Sequence, residues 1–336
     1  MKMNKSKITV IVPIYNVEKY VGKCLQSLID QTFSEFVVFA VNDGSPDNSC
    51  EVVKTFCKKD NRIRLLEKEN GGYGSVLEYA IQRVETPYFL ICDPDDWLKN
   101  TALEELYDFA IKNDLDLVVG DKYNVYVEDN TQHYIKTFSS QMDIKPYYAY
   151  EIDKDIQRFS FGYVSPHAKL YRTKICKNII FPHKVSYTDY LLYVMALSKA
   201  QKVAYYPQAL AYYLLNRPGN TTTDRKPKIV EAYTTVWNCT MNQLEKGNNN
   251  YQDVLYYRMY LQFRFILKEY GRTTDNKFND KYFKLILNVL KRLQVYKRNI
   301  YSINYGSIKD KLLLHGVLNP LIGTWTIKKY INRFNK

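Results

Sequence analysis

The sequence predicts an α/β fold, a doubly wound mixed sheet with helices on both faces, followed by a mainly α-helical C-terminal region. Over about the first 100 residues, short and nearly continuous apolar runs rich in β-branched residues alternate with segments of helical spacing. This alternation is typical of a sheet whose strands are buried on both faces. After about residue 225 the apolar residues recur at helical spacing. The second observation predicts that the C-terminal region is helical.

The elements of the sheet follow one another regularly. The first two predicted strands are the apolar runs at residues 8–12 and 36–41. Between them, within residues 17–31, apolar residues return at helical spacing at Val21, Cys24, Leu25 and Leu28. The remaining predicted elements are a helix at 49–60, a strand at 63–67, a helix at 75–84, a strand at 88–92 and a helix that starts near Thr101.

The C-terminal region contains three long predicted helices, near residues 229–246, 251–270 and 280–296. Residues 247–250 and 271–276 are rich in glycine and asparagine and predict loops between these helices. We therefore expect two domains, residues 1–224 and residues 225–336. A chain of 336 residues is long enough for both, and a hydrophobic content of 46% argues against a disordered protein.

The charge is unevenly distributed between these two parts. Residues 225–336 contain 21 lysine and arginine residues against seven acidic ones, whereas residues 1–224 contain 27 against 28. Such an asymmetry indicates a polyanionic partner for the C-terminal part, which is an anionic membrane surface, a nucleic acid or a phosphorylated acceptor. We find no nucleic-acid-binding motif and expect no nucleic-acid partner.

The last residues allow two interpretations. Between Leu314 and Phe334 apolar residues fall near helical spacing, with Trp325 among them and several basic residues in between. A tryptophan on a basic amphipathic stretch suits a membrane interface, but a helix that packs on its own domain explains the pattern equally well. The six cysteines have no C-x-x-C spacing, and there is no signal-peptide pattern and no run long enough to span a bilayer. The expected location is cytoplasmic, with peripheral contact to the inner face of the cell membrane as one alternative.

Three carboxylates directly follow the strand at residues 88–92. They are Asp93, Asp95 and Asp96, with Pro94 between the first two. Open α/β sheets bind ligands at the carboxyl ends of their strands. Hard cations such as Mg²⁺ or Mn²⁺ bridge one or two carboxylates to the phosphates of a substrate. The alternative is an ordinary turn in which Asp96 or Asn100 caps the next helix.

Three further loops follow strands at the same edge of the predicted sheet. Pro13, Tyr15 and Asn16 follow the first strand, and Tyr15 offers a flat ring on which a nucleobase could stack. Asp43 follows the second strand, and Asn70-Gly71-Gly72 precedes a helix whose N-terminus would favour a diphosphate. Each loop alone is an ordinary turn in most proteins. Together with the acidic cluster they predict a site for a nucleotide diphosphate and a metal ion.

These four motifs, in this order and spacing, resemble the family 2 glycosyltransferases, and the resemblance covers about residues 7–220. The family implies the Rossmann-like GT-A fold and an inverting transfer from a nucleotide-sugar donor, most often UDP-linked. It implies that Pro13, Tyr15, Asn16, Asp43, Asn70 and Gly72 hold the donor, with Asp43 as the acid that contacts the base. It also implies a divalent metal ion, Mn²⁺ or Mg²⁺, at Asp93 and Asp95. Asn42 and Pro94 depart mildly from the pattern of the family.

The resemblance also implies a catalytic base. The matching residue is Asp189, preceded by Thr188 where the family has glutamate; the alternative is an acid favoured by a helix N-terminus. Arg217 falls in the segment resembling the loop that closes over the substrates and would contact a phosphate, although a surface arginine is an equal alternative. Asp96, Trp97 and His167 would line the acceptor side, and for His167 a structural role is an open alternative.

The function expected from these residues is transfer of a hexosyl or N-acetylhexosaminyl group to a hydroxyl of a glycan or lipid-linked acceptor, in bacterial surface polysaccharide synthesis. Two alternatives stay open: a nucleotide-sugar-binding protein without transferase activity, and a sugar nucleotidyltransferase. The latter class usually carries a glycine-rich loop with a basic residue after the first strand, where this chain has Pro13-Ile14-Tyr15-Asn16.

Overall fold

The computed structural model describes residues 6–218, 226–247, 252–274 and 278–334. The chain divides into two compact units, residues 1–220 and residues 221–336. The predicted domain boundary, between residues 224 and 225, lies outside the described residues.

Unit 1 is built, within the described residues, on a ten-stranded sheet in the order β3-β2-β1-β4-β9-β6-β10-β5, with β7 paired to β6 and β8 paired to β10. The strands are β1 (Ile8–Ile14), β2 (Phe36–Asn42), β3 (Ile63–Glu67), β4 (Tyr88–Ile91), β5 (Trp97–Leu98), β6 (Leu117–Tyr126), β7 (Gln132–Ile135), β8 (Ala149–Tyr150), β9 (Lys169–Arg172) and β10 (Val203–Leu215). Strands β1 to β4 are mutually parallel, whereas β9 is antiparallel to β4 and β6. The sheet is therefore mixed, as predicted.

Helices pack on this sheet. They are α1 (Val21–Ile29), α2 (Ser49–Lys59), α3 (Gly72–Arg83), α4 (Ala102–Lys112), α5 (Asp153–Arg158), α6 (Thr173–Cys176) and α7 (Asp189–Leu197). The residues at helical spacing, Val21, Cys24, Leu25 and Leu28, are buried in the core beside β1 and β2. All seven residues of β1 and all seven of β2 are buried, as expected for central strands of a parallel sheet. The predicted α/β fold is confirmed.

The end of β1 shows how the sheet opens at its functional edge. Pairing of β1 with β4 ends at Ile11, whereas pairing with β2 continues through Pro13 to Ile14. The backbone N–H of residue 13 would face the β4 side, where pairing has already stopped. A proline at this position therefore removes no hydrogen bond from the sheet. Strand β4 ends at Ile91, opposite Ile11, and the acidic residues follow directly after it.

The second half of the sheet was not predicted. Strand β10 runs beside β6 in parallel, with irregularities between Tyr205 and Ala211. Strand β9 lies between β4 and β6. Polar and charged residues interrupt the apolar runs of β6 and β9, among them Lys122 and Lys169. Through Lys122 and Lys169, strands β6 and β9 contribute to the candidate site described below.

Unit 2 is helical in its described residues. Its helices are α8 (Lys228–Lys246), α9 (Asp253–Thr273), α10 (Lys281–Val295), α11 (Lys297–Tyr301), α12 (Ile308–Leu318) and α13 (Gly323–Ile331). The three predicted long helices correspond to α8, α9 and α10; Tyr251, the predicted start of the second, lies outside the described residues. Residues 271–273 were predicted as part of a loop but continue α9. Glycine is required at position 271 because a Cβ atom there would lie 2.7 Å from the Ile331 carbonyl oxygen. Among the helices of the described residues, none combines the length and apolar character needed to cross a bilayer.

Candidate active site

The acidic cluster is a tight turn between β4 and β5. The Asp96 N–H donates to the Asp93 carbonyl oxygen at 3.0 Å, and Pro94 occupies the second position of the turn, where its fixed φ is favourable. This turn gathers three carboxylates in a small, partly buried space. Burial, and next the charge of Asp95, raise the pKa of Asp93 to about 7. The same two causes raise the pKa of Asp96 well above its ordinary value.

The three carboxylates have different partners. The Tyr73 hydroxyl donates to Asp93 Oδ1 at 2.9 Å. Asp95 forms an ion pair with Arg217, whose guanidinium lies 4.8 Å from the ring centre of Tyr20. Arg217 therefore reaches the acidic cluster.

Asp96 is buried and accepts at both oxygens. The Leu214 N–H donates to Oδ1 at 2.8 Å, and Oδ2 lies 2.7 Å from His167 Nε2. The helix after the cluster begins at Ala102, and its N-cap residue is Thr101. The alternative in which Asp96 or Asn100 caps that helix is therefore wrong, because the Asp96 carboxylate is turned towards β10 and His167.

His167 continues this hydrogen-bonded chain into the sheet. Its Nδ1 lies 3.3 Å from Lys122 Nζ, and Lys122 also donates to Ser165 Oγ at 3.1 Å. Burial lowers the pKa of His167 well below its usual range and that of Lys122 to about 8. Because an ammonium group can only donate, Nδ1 accepts and the Nε2–H donates to Asp96. The hydrogen-bonded series Lys122–His167–Asp96 thus contains one ammonium, one neutral imidazole and one carboxyl group.

Asp189 is the first residue of α7 and is partly buried. Burial raises its pKa, and the positive charges of Lys169 and Lys122 oppose that rise. The charge of Asp189 in turn raises the pKa values of Asp93 and Tyr73, which places it in the same site. Lys169 is buried on β9 above the Tyr193 ring, and burial lowers its pKa to about 7. The predicted base thus lies among acids and buried lysines.

The donor-side loops form a second cluster around Asp43. Its Oδ1 accepts from Lys68 Nζ at 2.6 Å and from the Gly71 N–H at 2.9 Å, and its Oδ2 accepts from the Gly72 N–H at 2.7 Å. The Asn70 side chain donates to the Asp43 carbonyl oxygen at 2.9 Å. A carboxylate offers about four acceptor positions. Three are used here, and one remains for a ligand N–H.

Gly72 and Tyr73 join the two clusters. Gly72 bonds Asp43 through its N–H, and the next side chain bonds Asp93. Gly72 has a φ of +79°, and a Cβ atom there would lie 3.0 Å from the Lys184 Cα. Glycine is therefore required by both the conformation and the close approach of the segment that leads to Asp189.

The loop after β1 lies beside the Asp43 cluster. Pro13 is buried at the end of the strand, and the Asn16 N–H donates to Ser45 Oγ at 2.8 Å. Tyr15 is 50% exposed, so its ring is accessible to a ligand. The donor-binding role of Pro13, Tyr15 and Asn16 stays a prediction.

The residues predicted on the acceptor side are largely enclosed. Trp97 stacks on Tyr212 with ring centres 5.3 Å apart, and Lys23 Nζ lies 3.1 Å from the centre of its ring. Asp96 and His167 are buried and hydrogen-bond to each other. This geometry favours the structural alternative for His167, and the acceptor role of the three residues stays a prediction.

The donor atoms of the site suit a hard divalent cation. Asp93 and Asp96 each offer a carboxylate oxygen, and these lie with His167 Nε2 within 4.8 Å of one another. The His167 Nε2–H donates to Asp96, so this nitrogen is not free to bind a metal as the site stands. The predicted pair was Asp93 and Asp95. Carboxylate oxygens suit Mg²⁺ and Mn²⁺, and a cation would relieve the repulsion that raises the pKa of Asp93. The residues present therefore fit the metal.

Three residues of the site, Lys68, Tyr73 and Lys122, were missed from the sequence, and Lys169 was expected only on the acceptor side. Lys68 neutralises Asp43, Tyr73 bonds Asp93, and Lys122 and Lys169 oppose the acidic cluster. A usable signal exists for Lys169, which stands alone in the otherwise apolar run Ala168–Tyr171. Lysine is almost never fully buried unless it is paired, so such a position indicates a buried acid elsewhere.

Residues 9–180 match the family model described as glycosyl transferase family 2. The chain belongs to this family. Glycosyltransferase GlyA of Streptococcus pneumoniae is 30% identical over 235 residues, which are 69% of this chain and 32% of GlyA. The poly(ribitol-phosphate) beta-glucosyltransferase of Bacillus spizizenii is 27% identical over 220 residues, which are 63% of this chain and 33% of that enzyme. The chain thus spans about a third of the length of these two relatives.

Among solved structures, Staphylococcus aureus TarS residues 1–349 in complex with UDP-GlcNAc is similar, with a TM-score of 0.69 and 20% identity. The match covers 98% of this chain and 91% of that one. At this identity the similarity concerns the fold, and it agrees with the GT-A fold implied by the sequence motifs.

Proposed function

We propose that this family 2 glycosyltransferase moves a hexosyl or N-acetylhexosaminyl group from a UDP-linked donor to a hydroxyl of a glycan or lipid-linked acceptor, with inversion at the anomeric carbon. One observation carries the proposal. Asp189 lies at a helix start, with its pKa raised by burial, within the electrostatic reach of the acidic cluster that ends β4. A base and a diphosphate-binding edge thus share one site.

The chemistry assigned to Asp189 is proton removal. Its carboxylate takes the proton of the acceptor hydroxyl as that oxygen forms a bond to the anomeric carbon, while the bond from this carbon to the diphosphate oxygen breaks. A raised pKa makes the carboxylate a stronger base near neutral pH. Displacement in one step from the opposite face inverts the anomeric configuration and needs no covalent intermediate.

The donor would lie along the loops after β1, β2 and β3. The free acceptor position of Asp43 suits the imide N–H of uracil, and the exposed ring of Tyr15 suits stacking on the base. The UDP-GlcNAc complex of TarS supports a UDP-linked donor for this fold. Arg217 would contact the diphosphate after leaving Asp95, because a guanidinium binds phosphate in a bidentate manner.

Asp93 and Asp95 would hold the divalent metal ion, with Asp96 behind them. When bound, Mn²⁺ or Mg²⁺ supplies positive charge against the diphosphate leaving group. Tyr73 holds Asp93 in position, and the chain Asp96–His167–Lys122 fixes the turn from behind. We assign positioning roles to Asp96 and His167. Of the three residues predicted on the acceptor side, Trp97 lies nearest the surface, and we keep the acceptor role for it.

The acceptor is the least constrained partner. A relative named for poly(ribitol-phosphate) supports a polymeric surface glycan, and the excess of basic residues in residues 225–336 suits a phosphorylated or lipid-linked acceptor. The binding-protein alternative requires an Asp189 without a base function. The transfer assay below separates these alternatives.

The test compares Asp189→Asn with Asp153→Asn. Both acids are the first residue of a helix, but Asp153 is exposed and lies on α5. We expect Asp189→Asn to lower kcat by about 10²–10⁴-fold, the range for a positioned general base. UDP-sugar binding measured by calorimetry should survive, and Asp153→Asn should retain both properties. Full activity of Asp189→Asn would remove Asp189 from the base role, and absence of any transfer by the wild type with bound donor would favour the binding-protein alternative.

A further inference from the structure

The last part of unit 2 is unusually basic. Residues 281–336 contain twelve lysine and arginine residues and a single acidic residue, Asp310. Asp310 Oδ1 lies 2.8 Å from Arg264 Nη1, so its charge is already compensated inside the unit. Lys281 and Arg292 pair with Glu231 and Glu245 of α8. The other cations of this segment still give it a large excess of positive charge.

The same part of the unit exposes large apolar side chains. Leu321 is 93% exposed and Trp325 is 58% exposed, and Val295 and Ile322 are also exposed. The apolar residues that α12 and α13 need for their own packing are buried: Leu314, Val317, Leu318, Ile327 and Ile331. The exposed set is therefore separate from the residues that stabilise the helices. The packing interpretation of the tail sequence is confirmed for the buried residues, and the membrane interpretation stays a prediction for the exposed ones.

These exposed residues are close together. The Gln294 side chain donates to the Asn319 carbonyl oxygen at 3.5 Å, which brings the end of α10 against the turn that precedes α13. Trp325 and Lys329 are four residues apart on α13 and so share one helix face, and Leu321 lies in the turn that leads into this helix. The Lys329 ammonium lies 3.9 Å from the centre of the Trp325 ring.

We propose that Val295, Leu321, Ile322, Trp325 and Lys329, here called the anchor surface, bind an anionic lipid bilayer at the level of its headgroups. Tryptophan and lysine suit this depth because each has an apolar body and a polar or charged end. Leu321 and Ile322 gain by leaving water for the acyl boundary. The surrounding cations are attracted by anionic lipids.

The exposed aliphatic residues favour lipid over nucleic acid as the occupant. Nucleic acid would also be attracted by the positive charge, but phosphate contacts come from polar and basic groups. Burial of Leu321 and Ile322 contributes nothing to such contacts. Membrane binding through this surface does not depend on the proposed transfer reaction, and the two can fail independently.

The experiment is co-sedimentation of the full chain with vesicles. One set contains phosphatidylglycerol and phosphatidylcholine in equal amounts, and the other contains phosphatidylcholine alone, both near physiological salt. The variant is Leu321→Ser with Trp325→Ser. Its matched control is Ile308→Ser with Leu312→Ser, a pair on α12 that is 77% and 68% exposed and lies outside the anchor surface. We expect the wild type to prefer the anionic vesicles, the variant to partition about tenfold or more weakly, and the control to change by less than about twofold.

Charge and fold are checked separately. Lys329→Gln should weaken binding to anionic vesicles more than Lys309→Gln, an exposed lysine on α12. Because the substituted side chains are exposed, circular dichroism and Tm should match those of the wild type, and donor binding should be unchanged. The proposal is overturned if the wild type ignores anionic vesicles or if Leu321→Ser with Trp325→Ser binds them normally. Equal loss in both double variants, or RNA displacing the vesicles with no sensitivity to the apolar substitutions, would overturn it as well.

Discussion

The loops after β2 and β4 lie at the same edge of the sheet, and both carry carboxylates. The pKa is lowered for a carboxylate of the first loop and raised for carboxylates of the second. Burial alone would raise the pKa of Asp47, yet hydrogen bonds from the Ser45 and Ser49 hydroxyls and from backbone N–H groups lower it to about 2. Burial and Asp95 raise the pKa of Asp93 to about 7. The pKa values of these two aspartates, at the same edge of the sheet, thus differ by about five.

The number of local donors explains the difference. Asp47 accepts from Ser45 Oγ, Ser49 N and Oγ, and Glu18 N. Asp93 has Tyr73 as its side-chain donor and two acids beside it. A carboxylate surrounded by donors is a fixed structural charge, whereas one that lacks them favours a proton or a cation.

The largest expected effect contrasts two adjacent residues of the acidic turn. Asp96→Ala leaves the Leu214 N–H and the His167 Nε2–H without their acceptor, so the free energy of unfolding should fall by about 2–5 kcal/mol. Asp95→Ala removes a like charge from Asp93 and Asp96 but also the ion-pair partner of Arg217. Because these two effects oppose each other, stability should change by less than about 1 kcal/mol. Urea denaturation measures both variants. Equal losses would mean that the turn behaves as one structural unit, without the division of roles that the geometry indicates.

The sequence was sufficient to predict the half of the site formed by β1 to β4. Each of these strands is an apolar run that ends in glycine, proline or acidic residues, so both the strand and its loop are visible locally. The pairing of Asp95 with Arg217 joins residues more than 120 positions apart, and it depends on the course of β10. No local pattern carries that information.

The burial of two lysines was not predicted, for a different reason. Lys122 and Lys169 lie in strands, where a charged residue normally indicates a face in contact with water. Their burial depends on acids from the turn after β4 and from α7, which reach them only in the folded sheet. Strand β10 was missed because its apolar run contains a proline, a glutamine and several tyrosines.

The opposite pKa shifts predict opposite pH dependence of stability. Unfolded aspartate titrates near pH 4. Between about pH 4 and 7 the folded state binds more protons at Asp93 than the unfolded state, so the free energy of unfolding contributed by this residue falls as pH rises. Between about pH 2 and 4 the folded state binds fewer protons at Asp47, so its contribution rises with pH.

Urea denaturation from pH 2 to 8 in a chelator measures these slopes. Asp93→Asn should remove the decline at the higher pH values, and Asp47→Asn should remove the rise at the lower ones. Millimolar Mn²⁺ should reduce the decline in the wild type, because a cation favours the ionised carboxylate. A decline that persists in Asp93→Asn would mean that another buried group of the acidic turn holds the proton.

The smallest expected effect concerns Lys169, the buried lysine whose charge acts most strongly on Asp189. The positive charge of Lys169 is the main side-chain charge that opposes the raised pKa of Asp189. Lys169→Met should therefore move the acidic limb of kcat to higher pH by about one unit. Lys174→Met, an exposed control in α6, should leave that limb in place. Because the pKa of Lys169 is itself about 7, its charge is present only on the acidic side of the profile. The two profiles should consequently converge above about pH 8, whereas a merely structural role of Lys169 would lower kcat equally at every pH.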